Sequence, residues 1–419
     1  MEIDNIKEWI KSRYGVESRD NREKTAECKK IFACAYRIYD EASGAIGGPG
    51  GMLHMQEKLF GNRFEGIETE YIYRDVEYLV PEHIWSEMKD FTFKTKLVIS
   101  GAGYFATSNT ILNSIDRGDN ALLICHDLGC AYAAYLLGLN YILIYHQQGS
   151  ILNEIISVGE KAGEKERRIL AEIEKTVVDN SIKVYFPSIG ARQVFLDTST
   201  NVWQWNNEKL SNIPLYNTID RIDKKININS DIVGKVDNLG CETFLSVGDY
   251  NEDKGLDRIP ILLAEYVRQT KKDIVWIVVG SVSNAKLYDV IKKKCELFGI
   301  RNILMDKRIP HNELLKLMEV CDYFIMLHRK SIFDLAILEA MQLGKWIVLS
   351  DCMANHEFNL KNNIVIHKRD KRITVEDICK RDKKEWQDLN HTVYSDEFGN
   401  NAFLCRYSGE IKKALDKCR

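Results

Sequence analysis

Residues 322–351 read DYFIMLHRKSIFDLAILEAMQLGKWIVLSD. An apolar run of strand length, DYFIML, meets a polar loop. DLAILEAMQLG then has the composition of a helix closed by a glycine, and KWIVLSD is a second apolar run. Neither run alternates apolar with polar residues. Strands apolar on both faces belong to a parallel sheet covered by helices on both sides. Strand, helix, strand in this order is a βαβ unit.

Upstream the same alternation continues. ETFLSVGDY is a strand and turn, LDRIPILLAEYVRQT a helix, and DIVWIVVG a strand. KLYDVIKKKCELFG is a helix ending at Gly299, RNILMD a strand and NELLKLMEVC a helix. The segment 214–240 is polar with little helical periodicity and reads as a linker. Before it, KKIFACAY (29–36), KLVISG (96–101), NALLICHD (120–127) and NYILIYH (140–146) read as strands. MLHMQEKLFG and GCAYAAYLLGL read as helices, and residues 1–28 as a polar, helical lead-in. No internal repeat is visible. The expected architecture is α/β: two doubly wound, Rossmann-like domains facing each other across a cleft. They cover 1–234 and 235–398, and a final helix, 399–419, returns to the first. Such sheets bind ligands at the carboxyl ends of their strands.

Composition sets limits. A chain of 419 residues holds two or three domains. Its 58 basic and 61 acidic residues leave a net charge of −3, which argues against wholesale binding to nucleic acid. Six prolines argue against a disordered chain. Eleven cysteines, none in a C-x-x-C pair, fit reduced thiols in a cytoplasmic protein and offer no structural zinc site. The start, MEIDNIKEWIKSRYG, lacks the apolar core of a signal peptide. No run of about 18 apolar residues would span a membrane.

Five stretches carry candidate chemistry. GAIGGPGGM, 44–52, lies between a strand and a helix, where Gly47, Gly48, Gly50 and Gly51 would let backbone amides approach an anion. The alternative is a flexible turn. GAGYFA, 101–106, has dinucleotide-type spacing but does not follow the first strand of its domain. His126 and Asp127, and His146 and Gln147, follow two successive strands, where they would face an acceptor unless they merely tie down loops. SVGDYNEDKG offers Gly248 for close approach and Lys254 for a phosphate; a lone turn lysine is otherwise a solvated residue. In 327–351, Ser331 and Asp334 read as a capping box, with Arg329 and Lys330 beside the helix start. Glu339 lies among Leu335, Ala336, Leu338 and Leu343, where a carboxylate is costly without a partner. Vicinal hydroxyls of a ribose would satisfy it; the ordinary alternative is a Glu reaching water.

These motifs resemble glycosyltransferase family 4, the retaining sugar transferases of the two-domain GT-B fold. That family opens its second domain with V-G-R and then K-G, similar to Gly248, Lys254 and Gly255. IVVGSVSN, containing Gly280, and RIPHNELLKLMEVCDYFIMLHRK, containing Arg308, follow its pattern. SIFDLAILEAMQLG resembles its Glu-x7-Glu helix, with Asp334, Leu335 and Glu339. IPLYNTID and CHDLGCAYAAYLLGLNYILIYHQQG resemble its linker and first-domain motifs. Two positions depart: the family's Arg is Asp249, and its first Glu is Ser331.

The resemblance implies a nucleotide diphosphate sugar as donor and a glycan, lipid-linked or protein acceptor. His146, Arg329 and Lys254 would be catalytic. Glu339, Gly248, Ser331, Asp334, Leu335, Gly280 and Arg308 would bind the donor, and His126, Asp127 and Gln147 would lie on the acceptor side. The absence of D-x-D points to catalysis without a metal or other cofactor. The location implied is cytoplasmic, with room for peripheral contact at the inner face of a membrane. Asp249 and Ser331 leave a second reading open, a catalytically silent partner subunit.

Overall fold

The structure, a computed structural model, describes residues 5–17, 27–37, 48–75, 77–157, 159–199, 203–222, 228, 230–368 and 382–418. The chain divides into two compact units: Met1–Asn217 with Phe403–Arg419, and Thr218–Ala402.

In the first unit the apolar runs KIFACA, ALLIC and NYILI form the buried centre of a sheet, and the edge pair Arg63–Phe64 and Ile67–Tyr73, not expected from the sequence, is largely half-buried. The strands of this sheet are β1 (Lys30–Ala35), β2 (Arg63–Phe64), β3 (Ile67–Tyr73), β4 (Ala121–Cys125), β5 (Asn140–Ile144) and β6 (Lys183–Tyr185). Their order is β2-β3-β1-β4-β5-β6, parallel except for the β2–β3 hairpin. The chain runs outward from β1 to β3 and then returns to β4 on the other side. The carboxyl ends of β1 and β4 are therefore a topological switch point. Helix α1 (Ile6–Tyr14) precedes β1, and α2 (Pro49–Phe60) follows it.

KLVISG, expected as a strand, lies inside helix α3 (Phe93–Ala106). A helix buried on most sides is as continuously apolar as a buried strand, so periodicity does not separate them. The GAGYFA glycines sit in this helix and serve packing. A Cβ at Gly101 would meet the Tyr36 ring, and one at Gly103 would overlap Tyr14. Helix α4 (Leu128–Leu136) crosses α3 so closely that a Cβ at Gly129 would lie 2.8 Å from the Val98 carbonyl oxygen. Helices α5 (Ile151–Ser157) and α6 (Glu164–Asn180) follow β5.

The second unit has β7 (Glu242–Val247), β8 (Ile274–Val279), β9 (Asn302–Leu304), β10 (Tyr323–Met326), β11 (Trp346–Ser350) and β12 (Val365–His367). All run parallel, in the order β12-β11-β10-β7-β8-β9, so the switch point lies between β7 and β10. A buried hydroxyl chain ties its centre: Trp276 Nε1 donates to Ser246 Oγ at 2.9 Å, which donates to the Ile325 carbonyl at 2.7 Å. The stretch read as linker contains helix α7 (Asp231–Asp237). Helices α8 (Ile259–Thr270), α9 (Ala285–Phe298), α10 (His311–Val320), α11 (Leu335–Gln342) and α12 (Lys383–Val393) cover the sheet. In the last helix, α13 (Asn400–Lys417), Phe403, Tyr407, Ile411, Ala414 and Leu415 join the core of the first unit beside Ile31, Leu122 and Ile142. No helix among the described residues is long and apolar enough to cross a membrane.

Candidate functional site

At the β7/β10 switch point the chain makes two tight approaches. After β7, Gly248 sits against the aliphatic stem of Lys254, 3.0 Å from where its Cβ would be. A Cβ at Gly280, after β8, would fall 2.0 Å from the Gly248 carbonyl oxygen. Gly255 adopts φ +63°, and a Cβ there would lie 1.8 Å from the Leu327 carbonyl oxygen. Only glycine fits that approach.

These approaches deliver Lys254 to Asp334. Lys254 Nζ lies 2.6 Å from Asp334 Oδ2, and His328 Nε2 lies 3.0 Å from the same oxygen. Asp334 Oδ1 accepts from the Ala336 amide at 3.1 Å. Asp334 alone is thus the N-cap of α11; the capping box expected with Ser331 does not form. Asp334 is extended, at φ −91° and ψ 121°, so the helix begins after it and Ser331 lies outside; Phe333, just before the cap, is buried against Phe358 and Phe398. Burial opposes ionisation of Asp334, but Lys254 and His328 outweigh it and hold its carboxyl far below the usual range. Burial lowers the His328 imidazole despite Asp334, so it donates to Asp334 as a neutral ring. Its Nδ1 is buried without a partner among the described residues.

Glu339 lies on α11, one turn beyond the cap. Its carboxylate is 11% exposed and accepts from His311 Nε2 at 2.7 Å. Ser331 and Leu335 are half-buried around the helix start. Asp249 receives Arg308 through two bonds, 3.2 and 2.6 Å, and accepts from the Ser281 amide at 3.0 Å. Arg329 is engaged elsewhere. Its guanidinium bonds both oxygens of Asp257 at 2.7 and 2.8 Å and the Glu252 carbonyl at 2.8 Å.

The first unit has its own polar cluster at the β1/β4 switch. Gly48, at φ +76°, is the N-cap of α2, and Gly50 and Gly51 are buried in its first turn. Gly47 lies outside the described residues. His126 is fully buried between Gln56 Oε1, 3.0 Å from its Nε2, and His146 Nε2, 3.1 Å from its Nδ1. With the Gln56 oxygen as acceptor, His126 carries its proton on Nε2, and His146 Nε2–H donates to His126 Nδ1. Burial pushes both imidazoles down, His146 to about 4, so the pair is neutral at pH 7. Asp127 is the N-cap of α4. One oxygen accepts from the Cys130 amide at 2.9 Å and the other from the Tyr36 amide at 2.6 Å, so it fastens β1 to α4. Gln147 is buried, with its Oε1 unpartnered among the described residues.

The structure thus brings together Gly248, Lys254, Asp334 and Gly280 in one unit, and His126 with His146 in the other. Sequence reasoning missed His328, His311, Gln56 and Asp257. His328 directly follows an apolar strand, which was a usable signal; the other three gave none. Among the described residues, no three His, Cys, Asp or Glu side chains converge as metal ligands.

Residues 231–378 match the family model described as glycosyl transferases group 1. The span contains Gly248, Lys254, Gly280, Arg308, His311, His328, Asp334 and Glu339, and it agrees with the enzyme class expected from the sequence, a glycosyltransferase. Among solved structures, the chain is similar to a sucrose-phosphate synthase from Thermosynechococcus elongatus, with TM-score 0.61 and 12% identity over 93% of this chain and 100% of that one. It is similar to the E. coli trehalose-6-phosphate protein bound with UDP-2-fluoro glucose, with TM-score 0.59 and 14% identity over 92% and 99%. Anabaena HepE, in complex with UDP and glucose, gives TM-score 0.59 and 14% identity over 92% and 100%. No curated protein sequence matches the chain. At these identities the likeness establishes the fold, which is of the GT-B type.

Proposed function

We propose that the chain is a retaining, metal-independent glycosyltransferase of the family 4 kind. Its donor is a nucleotide diphosphate sugar and its acceptor a hydroxyl of a glycan, lipid-linked or protein substrate. The supporting observation is Lys254 paired with Asp334 at the capped start of α11, a helix that also carries Glu339, at the carboxyl edge of a parallel sheet. An ammonium has three donors. Asp334 takes one and fixes the direction of the stem, leaving two for a phosphate. The sugar–phosphate bond breaks as the acceptor oxygen bonds to the same carbon, and the acceptor's proton passes to an oxygen of the departing diphosphate. Negative charge grows on the departing diphosphate, where Lys254 and the helix N-terminus are already in place. Glu339 accepts the ribose hydroxyls. In the first unit, neutral His146 and the glycine loop take the sugar and acceptor side. We place the protein in the cytoplasm, with peripheral contact at a membrane where the acceptor is lipid-linked.

The second reading, a silent partner subunit, rests on Asp249, where an acidic group stands in place of the family's Arg. Thermal melts with UDP, GDP and NAD separate the readings. A nucleotide at 100 times its Kd adds about 2.7 kcal/mol to the stability of the state that binds it. UDP or GDP is expected to raise the melting temperature, and turnover of the matching nucleotide sugar is expected to persist in excess EDTA. Activity restored only by magnesium or manganese overturns metal independence. Stabilisation by none of the three nucleotides favours the silent subunit.

A further inference from the structure

Three elements converge on Glu339. His311 is the first residue of α10, and its Nε2 lies 2.7 Å from Glu339 Oε1. Gln342, three residues after Glu339, accepts from the Ile222 amide and donates to the Asp220 carbonyl at 3.1 Å. Asp220 also acts electrostatically on His311, in the same direction as Glu339. The imidazole is 57% exposed, and the carboxylate it holds is 11% exposed. A cation at a helix N-terminus opposes the helix dipole. His311 at this position therefore makes no sense for α10 alone; it is explained by the carboxylate.

A free carboxylate on a helix rotates among several orientations, and the two hydroxyls of a vicinal diol need one of them. A carboxylate has about four lone-pair positions. His311 takes one, which leaves both oxygens able to accept one hydroxyl each while the carboxyl plane is held. We propose that His311 is a positioning residue: it orients Glu339 to recognise the vicinal hydroxyls of a ribonucleotide, and so discriminates ribose from deoxyribose. This rests on the donor-site reading above.

The test is calorimetric titration of the full chain with UDP and GDP and with dUDP and dGDP. Wild type is expected to prefer the ribo form of the nucleotide it binds. His311→Ala is expected to weaken the ribo form by roughly three- to tenfold, part of what one charged hydrogen bond is worth, and to leave the deoxy form unchanged. In His311→Gln the amide nitrogen reaches the place of Nε2, and the preference is expected to recover. An unchanged ribo-to-deoxy ratio in His311→Ala, or equal loss of both forms, overturns the role of His311 while sparing the donor site. Failure of wild type to bind any of the four nucleotides overturns the donor site itself, and the inference with it. NMR titration of His311 in the nucleotide-free protein gives a separate readout. Glu339→Gln is expected to lower its pKa, since the Glu339 bond is the main influence raising it. No change would deny the pairing in solution.

Discussion

Arg329 and Arg308 show how a loop chooses among its cations. Position 249 carries Asp where the family resembled carries Arg, and Arg329, beside the helix start, is the replacement that the sequence suggests. In the structure Arg329 serves as a clamp. Its fork on Asp257 and its bond to the Glu252 carbonyl hold the 328–330 loop to the 252–257 turn. Arg308 is the guanidinium that meets position 249, and its side chain is 69% exposed. Arg329→Ala is therefore expected to act on stability. The side chain is 39% exposed, so the pair is worth about 1 kcal/mol or less, a fall in melting temperature of roughly 2–4 °C. Arg308→Ala is expected to be the variant that weakens nucleotide binding. Titration of both variants with UDP and GDP decides between them; a larger loss of affinity in Arg329→Ala would return the diphosphate to that residue.

Among elements, the turn after β7 is the one where backbone conformation and chemistry cannot be separated. Asn251 caps the short 3-10 turn Glu252–Lys254, accepting from the Lys254 amide at 3.1 Å. Gly255 then turns left-handed beneath the Leu327 carbonyl. Any side chain at 255 must push apart the turn that carries Lys254 and the loop that carries His328. Gly255→Ala combines a left-handed Ala with a backbone clash, and each typically costs about 1–3 kcal/mol. The expected result is a lower melting temperature together with weaker nucleotide binding, read by thermal melts and titration of the same sample. Gly129→Ala makes the control. It crowds α3 against α4 and is expected to lower stability with nucleotide affinity intact.

At the scale of the whole molecule, the pH dependence of stability should carry the mark of one buried acid. Glu174 accepts from the Tyr145 hydroxyl and, at 2.7 Å, from the Ile151 amide at the start of α5. Burial pushes its carboxyl from the ordinary 4.5 up to about 7, although both bonds favour the ionised form. The folded state then holds a proton that the unfolded state has lost between about pH 4.5 and 7. Stability from this group is full below the lower value and declines as pH rises to the upper one, by on the order of 3 kcal/mol in total. Glu174→Gln keeps an oxygen for Tyr145 and removes the titration. Urea unfolding from pH 5 to 8 is expected to show a flatter profile for this variant; the same slope as wild type would place the titrating group elsewhere.

The sequence by itself determined the α/β class, strands β7 to β11 of the second unit and the residues with an evident local cost. β7, β8, β10 and β11 are buried along nearly their whole length, so for them the requirement is written in consecutive apolar residues. Glu339 stood out because a carboxylate on an apolar helix face needs a partner, and Gly248 and Lys254 because turn glycines and a nearby cation share one short motif. Only the tertiary structure decided the partners. Asp249 meets Arg308 across 59 residues, and Glu339 meets His311 across 28, because the strand order sets those loops side by side. Strand order is a property of the whole sheet and leaves no local period in the chain. The same limit explains residues 96–106, whose apolar run served a buried helix as well as it would have served a strand. It also explains His126 and His146: each follows a strand in the sequence, but their stacking and hydrogen bond exist only because β4 and β5 are neighbours.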